Sequence, residues 1–571
     1  MYLKKSTSKK TGRTYLSIAD GYWDKTKSYT KTITIKGLGF LDKLEKEYAD
    51  PIAYFEMEIK KMTDEKRNND APVTLNIDIN RKIDLNSDDE KNFGYTAISK
   101  VYHELELDKF YVNRQRHLNV GYNINSIMKL LVFSRLLNPS SKKKTFEDKG
   151  MYFENTDFSL DDLYRSLSFI NKHKEALQLW IHKHIKEQYN RNTDLVYYDV
   201  TNYYFEIDEP DDLRKKGVCK EHRPNPIVQM GLFMDNQGMP IAYKLFSGNT
   251  VDKVTLIPML QLVKKEYGLG RIIVVADKGL NTGDNIYYTL SCKDGYVISQ
   301  TVRGATEELK CYVLNEDGYT WYGKEYKKKS RLCPREISVT STSGKKIKKT
   351  VHEKQVIFYS EDYAKRAKAE RAPALLKAMD LINNPGKYKQ ATSYGAAKYV
   401  KNIEFDKKTG EILTTKSLPL LDEDKLRKEE EMDGYYAIIT SEWEKTDDEI
   451  IEIYRGLWRI EESFKVTKSE LEARPVYLSR EAHIEAHFLT CFISLAIARV
   501  LQHRTKNKYS VGRILESLKK ASCAPVEENY YVFKFYNEVL EDIGTAFGID
   551  FSKKYLRLGE IKNILGNSKK A

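Results

Sequence analysis

Apolar and polar positions alternate over the first forty residues. Thr14-Tyr15-Leu16-Ser17-Ile18 and Tyr29-Thr30-Lys31-Thr32-Ile33-Thr34-Ile35 flank a polar turn around Asp24-Lys25-Thr26-Lys27, which predicts a hairpin. Leu41 to Lys61 is rich in helix formers, residues 63–72 read as a charged linker, and Val73–Ile79 reads as a short strand. From Tyr95 to about Tyr189 the period changes to that of helices. Ile124, Ile127, Leu130, Leu131 and Leu136-Leu137 recur with helical spacing, and Ser159 with Asp162 forms a capping box ahead of Leu160. A helix over Glu175–Tyr189 is lined by Lys172, Lys174, Lys183, Lys186 and Arg191. This block reads equally as a small DNA-binding module and as a packing domain with solvated charges.

At residue 195 the pattern becomes that of buried strands. Leu195-Val196-Tyr197-Tyr198-Asp199-Val200 and Ile272-Ile273-Val274-Val275-Ala276 are apolar runs, each carrying one acid, Asp199 or Asp277, near its end. Between them, Ile227–Met234 and Ile241–Leu245 flank the turn Asn236-Gln237-Gly238, followed by a helix from Asp252 to Tyr267. A helix near Gly283–Leu290 and a strand at Gly295–Ser299 complete a mixed α/β sheet. Residues 301 to about 432 are turn-rich and predict a β-rich insertion, with a charged helix over Tyr363–Ile382. From Thr301 to Val356 there are 13 Lys/Arg against 7 Asp/Glu, interleaved with Tyr312, Tyr319, Trp321, Tyr322 and Tyr326. Tyr435–Thr440 reads as a strand leading into a long helix.

Composition narrows the class. The 571 residues are enough for three or four domains, and 41% hydrophobic content excludes wholesale disorder. The 95 Lys+Arg against 82 Asp+Glu leave +13, a surplus that favours a polyanionic partner. Phe488 to Val500, the longest apolar-leaning stretch, has 13 residues and contains Thr490, Ser494 and Arg499, so it is too short to span a bilayer. The start carries no secretory apolar core, and the 6 cysteines form no Cys-x-x-Cys pair. The expectation is a soluble, basic, intracellular protein with free thiols and no membrane partner.

The third acid of interest is Glu461. Thr446-Asp447-Asp448-Glu449 is a capping box that starts its helix, and Tyr454, Glu461 and Lys468 recur seven apart, on one face. Glu462 points about 100° away. The plainer reading of Glu461 is an internal ion pair with Lys465 or Lys468. Two acids near strand ends with a third on a helix suit hard cations such as Mg²⁺, and two such ions can drive in-line phosphoryl transfer. A phosphodiester substrate would also account for the basic surplus.

These residues carry a resemblance. Tyr454 to Lys468 is similar to the Y-x2-R-x3-E-x6-K signature of bacterial insertion-sequence DDE transposases of the IS-four type, with Leu457 standing where that signature has its Arg. Asp199 in Tyr198-Asp199-Val200-Thr201 and Asp277 in Val275-Ala276-Asp277-Lys278-Gly279 resemble the first two acids of the triad. His222-Arg223-Pro224, Gly248-Asn249-Thr250 and Arg474-Pro475 resemble further motifs of the group. The 184-position separation of Asp277 and Glu461 matches the branch with a large β-rich insertion.

The resemblance implies an RNase H-like mixed-sheet core interrupted by that insertion. The resemblance covers roughly residues 190–500; with the pattern along the rest of the chain, the expected division is an N-terminal β-hairpin region and linker (1–75), a helical part expected to bind DNA (76–190), the first part of the core (191–300), the insertion (301–432), the second part with the catalytic helix (433–503) and a C-terminal helical region (504–571). It also implies a catalytic, metal-holding triad of Asp199, Asp277 and Glu461 that uses two Mg²⁺ or Mn²⁺ ions. Cleavage at transposon ends and transfer of the freed 3′-OH into target DNA would follow. Tyr454, Lys468, Arg459 and Lys465 would contact DNA, and Trp321 and Trp443 are candidates to stack a flipped base, although both also read as core aromatics. The partners implied are the terminal inverted repeats and target DNA, a second copy in a synaptic complex, and a bacterial cytoplasmic, nucleoid-associated location. A decayed, DNA-binding relative and an RNase H-like nuclease without strand transfer are the alternatives.

Other motifs fall short. His483 and His487 stand at i and i+4 without a third zinc ligand nearby, and read as helix-face histidines, one packed in the core or near a phosphate. Gly344-Lys345-Lys346 lacks the P-loop frame, Gly268-Leu269-Gly270 lacks a third glycine, and no Gly-x-Ser-x-Gly elbow occurs.

Overall fold

A computed structural model describes the chain outside residues 9–11, 25–28, 49, 69–74, 76–79, 81, 83–84, 86–88, 117, 220–222, 385–398, 402–403, 406–411, 415–419 and 571. It divides into two compact units, Met1–Asp84 and Leu85–Ala571. In the first, strands Tyr2–Thr7, Thr14–Asp24 and Tyr29–Phe40 form an antiparallel sheet, so the hairpin predicted there is present. Leu16, Leu44 and Phe55 form its small core. The helix Pro51–Asn68 runs into the stretch expected to be a linker. The turn at residues 25–27 and nearly all of the strand expected at 73–79 lie outside the described residues.

The second unit is built on a nine-stranded sheet. Its strands are β1 (Leu195–Tyr204), β2 (Ile227–Asp235), β3 (Pro240–Ser247), β4 (Ile273–Ala276), β5 (Gly295–Gln300), β6 (Thr320–Tyr322), β7 (Tyr326–Thr340), β8 (Lys346–Ser360) and β9 (Tyr435–Thr440). The order is β6-β7-β8-β9-β5-β4-β1-β2-β3. Strands β1, β2 and β3 pair antiparallel, whereas β4 lies parallel to β1 and β5 parallel to β4. That arrangement of β3-β2-β1-β4-β5 is the RNase H-like core expected from the sequence. Strand β9 and, through it, the strands of residues 301–432 extend it: β9 pairs antiparallel with β5, β8 with β9, and β7 with β8 over 15 residues each.

The interleaved cations and aromatics of this extension satisfy one another internally. Lys327, Lys328 and Lys329 are all buried. The Lys327 ammonium lies 4.8 Å from the Trp321 ring, 4.5 Å from Tyr319 and 2.6 Å from Glu316. Burial of a lysine is tolerable when a carboxylate and aromatic faces replace its water.

The helices used below are α1 (Ile124–Leu137), α2 (Lys142–Glu147), α3 (Leu160–Lys172), α4 (Lys174–Tyr189), α5 (Glu361–Asn383), α6 (Asp447–Arg455), α7 (Trp458–Ser469) and α8 (Glu481–Arg504). Capping boxes form at Ser159 and at Thr446, as predicted. Helix α8 contains the apolar stretch around Phe488–Val500 but runs for 24 residues, and an 18-residue window of it is long and apolar enough to cross a membrane. Its apolar window is wholly buried inside the protein, which makes it the central core helix. All six cysteines are free thiols.

Candidate active site

Strand periodicity decides which side chains meet. Along β1, Tyr197 and Tyr203 pack into one core, while Val196, Tyr198 and Val200 pack into the core on the other face. Asp199 therefore shares the face of Tyr197 and Tyr203. Both tyrosines touch the helices that cover this face: the Tyr197 hydroxyl donates to the Ile453 carbonyl at 3.2 Å, and the Tyr203 hydroxyl lies 2.7 Å from Thr467 Oγ1. Helix α7 therefore runs alongside β1 over Asp199, carrying Glu461 between those two contacts.

Asp277 follows β4 directly. The parallel register Tyr197↔Val275, continued two residues, sets Asp199 beside Asp277. The register Ala276↔Ile298, continued one residue, sets Asp277 beside Ser299, whose hydroxyl donates to Asp277 Oδ1 at 2.9 Å. Asp199, Asp277 and Ser299 thus form one row on one face, with strands about 4.8 Å apart. The sequence placed Asp199 at a strand end, but it is mid-strand, because pairing with β2 carries β1 on to Tyr204. Both acids are half-buried, and Glu461 is exposed.

Two tyrosines close the row. Tyr454 Oη donates to Asp277 Oδ1 at 3.5 Å. Burial, reinforced by neighbouring Tyr436 and Asp277, raises the Tyr454 phenol well above its usual range, so it stays a proton donor. Tyr436 packs on Tyr454 with ring centroids 5.9 Å apart. Its phenol is also raised, by burial first, with both Asp277 and Glu461 near enough to contribute. Sequence reasoning missed Tyr436 and Ser299. The period-two rule applied to Gly295–Ser299 and Tyr435–Thr440 would have put both on the inner face.

The helix carrying Glu461 differs from expectation. It is not continuous from Thr446: α6 ends at Arg455 and α7 starts at Trp458. At the junction, a Cβ on Gly456 would lie 1.9 Å from Tyr197 Oη and 2.7 Å from Arg459 Nη1, so only glycine admits the tyrosine there. We expect Gly456→Ala to cost about 1–3 kcal/mol through overpacking and to shift α7. Chemical denaturation monitored by tryptophan fluorescence would measure the loss.

The remaining predicted residues divide. Glu462 does not compete with Glu461, because Arg499 Nη1 holds its carboxylate at 3.0 Å. Leu457, at the signature's Arg position, is buried in the main core. Lys468 lies 5.6 Å from the Tyr203 ring on the inner face, and Lys465 is exposed on the same helix. Arg459 is turned away from the acids, against Gly238 in the β2–β3 turn at the far end of the sheet. Trp443 is also at that far end, beyond β9 and beside Arg271, which precedes β4. Trp321 is at the same end as the acids but on β6, five strands and roughly 24 Å from β4. His483 and His487 form no metal site: His487 is buried with Nε2 against the Ala473 carbonyl at 3.1 Å, and His483 Nε2 lies 3.4 Å from Ser168 Oγ.

Beside Asp277 a cleft of 420 Å³ opens against α5, lined by Lys278, Ser299, Arg303, Tyr363, Arg366 and Tyr436, among others. Cations alternating with tyrosine faces suit a phosphate backbone carrying planar bases. Among the described residues, no three Asp, Glu, His or Cys side chains are close enough to share a metal ion. The Asp199–Asp277 pair nevertheless fits a Mg²⁺-type ion, which takes one or two carboxylates and completes its shell with water and phosphate oxygens.

An RNase H-like sheet with two acids side by side on β1 and β4, under a helix bearing a third, defines a class of polynucleotide-processing folds. The family model described as a transposase DDE domain matches residues 210–497, a little over half of the chain, and the chain belongs to that family. The match begins after Asp199 and includes Asp277 and Glu461. No curated protein matches the chain. Among solved structures, a piggyBac transposase synaptic complex with hairpin DNA is similar at 8% identity, over 83% of this chain and 84% of that one, with a TM-score of 0.32. A Mos1 transposase paired-end complex with the left transposon end is similar at 10% identity, over 34% and 65%, with a TM-score of 0.14.

Proposed function

We propose that the chain is a DNA transposase of the IS-four type, which cuts at the ends of its element and joins the freed 3′-OH to target DNA. The observation that supports this most is the row Asp199–Asp277–Ser299 on the inner face, with Tyr454 bonded to Asp277 and α7 laid against that face. Asp199 and Asp277 would hold divalent cations, with Glu461 completing the site from α7. When bound, two Mg²⁺ or Mn²⁺ ions would supply the charge that activates a water or hydroxyl and stabilises the leaving oxygen. Ser299 and Tyr454 both donate to Asp277 Oδ1, which fixes the carboxylate in the row. Lys468, with Lys278, Arg303 and Arg366 of the cleft, would hold the strand. The protein would act as a homodimer or larger synaptic assembly on two inverted repeats, in the bacterial cytoplasm on the nucleoid.

A binding-only reading draws on two observations: the lack of a three-ligand cluster among the described residues, and buried Leu457 in place of an arginine. A plasmid carrying the protein's own locus with both flanks separates the readings. Excision at discrete flanking positions in Mg²⁺, lost in EDTA, supports the transposase. Tight flank binding without cleavage supports the binding-only protein, and cutting without regard to the flanks supports a plain nuclease.

The cleft makes a separate prediction. Arg366 is exposed and carries its charge beside Tyr363. Arg366→Ala is expected to weaken duplex binding evenly across sequences and to lower the slope of log K against log salt by about one. Fluorescence anisotropy titrations at several salt concentrations would measure it.

A further inference from the structure

A cavity of 160 Å³ lies where the helical part of the second unit meets the loop after α7. Its lining includes Arg135 from α1, Lys142 from the start of α2, Tyr164 from α3, Arg474 and Tyr477 from the loop, and His487 from α8. Arg135 spends its guanidinium on neutral partners: Nη1 donates to the carbonyls of Leu471 and Glu472 at 3.1 and 3.2 Å, and Nη2 to Ser140 at 3.0 Å. Its buried Nε has no partner. Lys142 is 95% buried (5% exposed), and among the described residues it has no hydrogen bond or ion pair. Glu472 also lines the cavity, but it is exposed and meets Arg135 through its backbone carbonyl.

Two buried cations without a carboxylate are costly to keep, since each loses its hydration. The charge is felt locally: burial and the neighbouring Arg135 press the Lys142 ammonium down to about 7, and burial beside Lys142 and Arg135 holds the His487 imidazole neutral. With Nε2 against the Ala473 carbonyl, neutral His487 adds no third charge. Ser140, Ser141, Tyr164 and Tyr477 also line the space; Ser141 Oγ caps α2 and Ser140 Oγ meets Thr145, while the two phenols make no hydrogen bond among the described residues. Compact volume, positive charge without a carboxylate and two phenol donors describe a seat for a tetrahedral oxyanion.

We propose that this cavity is a phosphate-binding site, distinct from the acidic row, whose charge is completed by a phosphate group on Lys142. The Arg474 guanidinium at its rim is 5.5 Å from the ring of Tyr204, the last residue of the strand that carries Asp199. Five residues of strand separate Tyr204 from Asp199, about 17 Å. That is the span of about five steps of a nucleic acid backbone at 3.4 Å each. A DNA phosphate and free inorganic phosphate share the required chemistry, and the test below separates them.

The test uses the full chain and Lys142→Met, which keeps length and apolar bulk. Thermal unfolding is followed in chloride and in inorganic phosphate at equal ionic strength. Phosphate is expected to raise the wild-type Tm by about 3 °C or more and to leave Lys142→Met unmoved. In chloride the variant is expected to melt at or above the wild-type temperature, because it removes an unpaired charge. Lys142→Arg, which retains the charge, should retain the phosphate response and serves if the methionine variant does not fold. Duplex titrations then identify the source. A salt slope about one unit lower in Lys142→Met means that a DNA phosphate occupies the seat, and an unchanged slope with a lost phosphate response means free phosphate. Equal Tm increments in wild type and Lys142→Met, or no increment in either, would overturn the proposal.

Discussion

Asp277→Asn is expected to lower strand cleavage by about a thousandfold or more while leaving the fold and DNA affinity nearly unchanged. The carboxylate sits in the row with Asp199 and takes hydrogen bonds from Ser299 and Tyr454, so the amide can occupy the same space. It cannot provide the negative charge that a hard cation needs. Losing several kcal/mol of transition-state stabilisation corresponds to a rate loss of that order. Glu461→Gln should show the same split, because its exposed carboxylate supports no packing. The measurement pairs cleavage of an end-containing duplex with anisotropy on the same duplex. Unchanged cleavage in either variant would remove that residue from the chemistry.

The largest stability effect is expected at Arg191. Its Nε meets Asp235 Oδ2 at 2.8 Å with both side chains fully buried, and its other nitrogens reach His182 and the Pro240 carbonyl. Asp235 Oδ1 also accepts from Gln237 and Met239, which fixes the β2–β3 turn. Arg191→Met leaves a buried carboxylate without its counter-charge, so a loss of about 3–5 kcal/mol is expected. Burial already raises the Asp235 carboxyl, with Arg191 opposing it. Without the arginine it rises further, and the folded variant then binds a proton that the unfolded chain does not. Stability of the variant therefore falls as pH rises through that window, and its deficit should narrow as pH drops from 7 towards 4. Urea denaturation across that pH range would test both the size and the sign.

Much of this was legible in the sequence, for identifiable reasons. Ile273–Ala276 and Tyr435–Thr440 are short apolar runs with few competing conformations, and the acid after Ala276 stood out against them. Thr446 and Glu449 announced a helix start because the cap is local chemistry. Non-local facts were not legible. The seven-residue spacing of Tyr454, Glu461 and Lys468 suggested one helix, and the break at Gly456 comes from Tyr197, remote in sequence. Strand β1 looked short because Thr201 and Asn202 are polar, yet pairing with β2 holds them in the sheet. Trp443 and Trp321 looked equivalent on paper, and only the sheet order separates the end of the sheet near the acids from the end away from them.

The sheet order also sets a timetable for the growing chain. Strand β5 is complete at Gln300, but its partner β9 begins only at Tyr435. At roughly 5–20 residues per second, the ~135 residues between them take about 7–27 s to emerge from the ribosome. Throughout that interval the nascent core presents β5 as an open edge of unpaired backbone groups, the kind of edge that templates aggregation. The long β7–β8 hairpin can zip locally in the meantime, and its far half rests on the helix Gly283–Ser291, but it joins the sheet only when β9 arrives between it and the core. Closure of the sheet is thus a late event in biogenesis, and a chain stalled before Tyr435 is the species most in need of a chaperone.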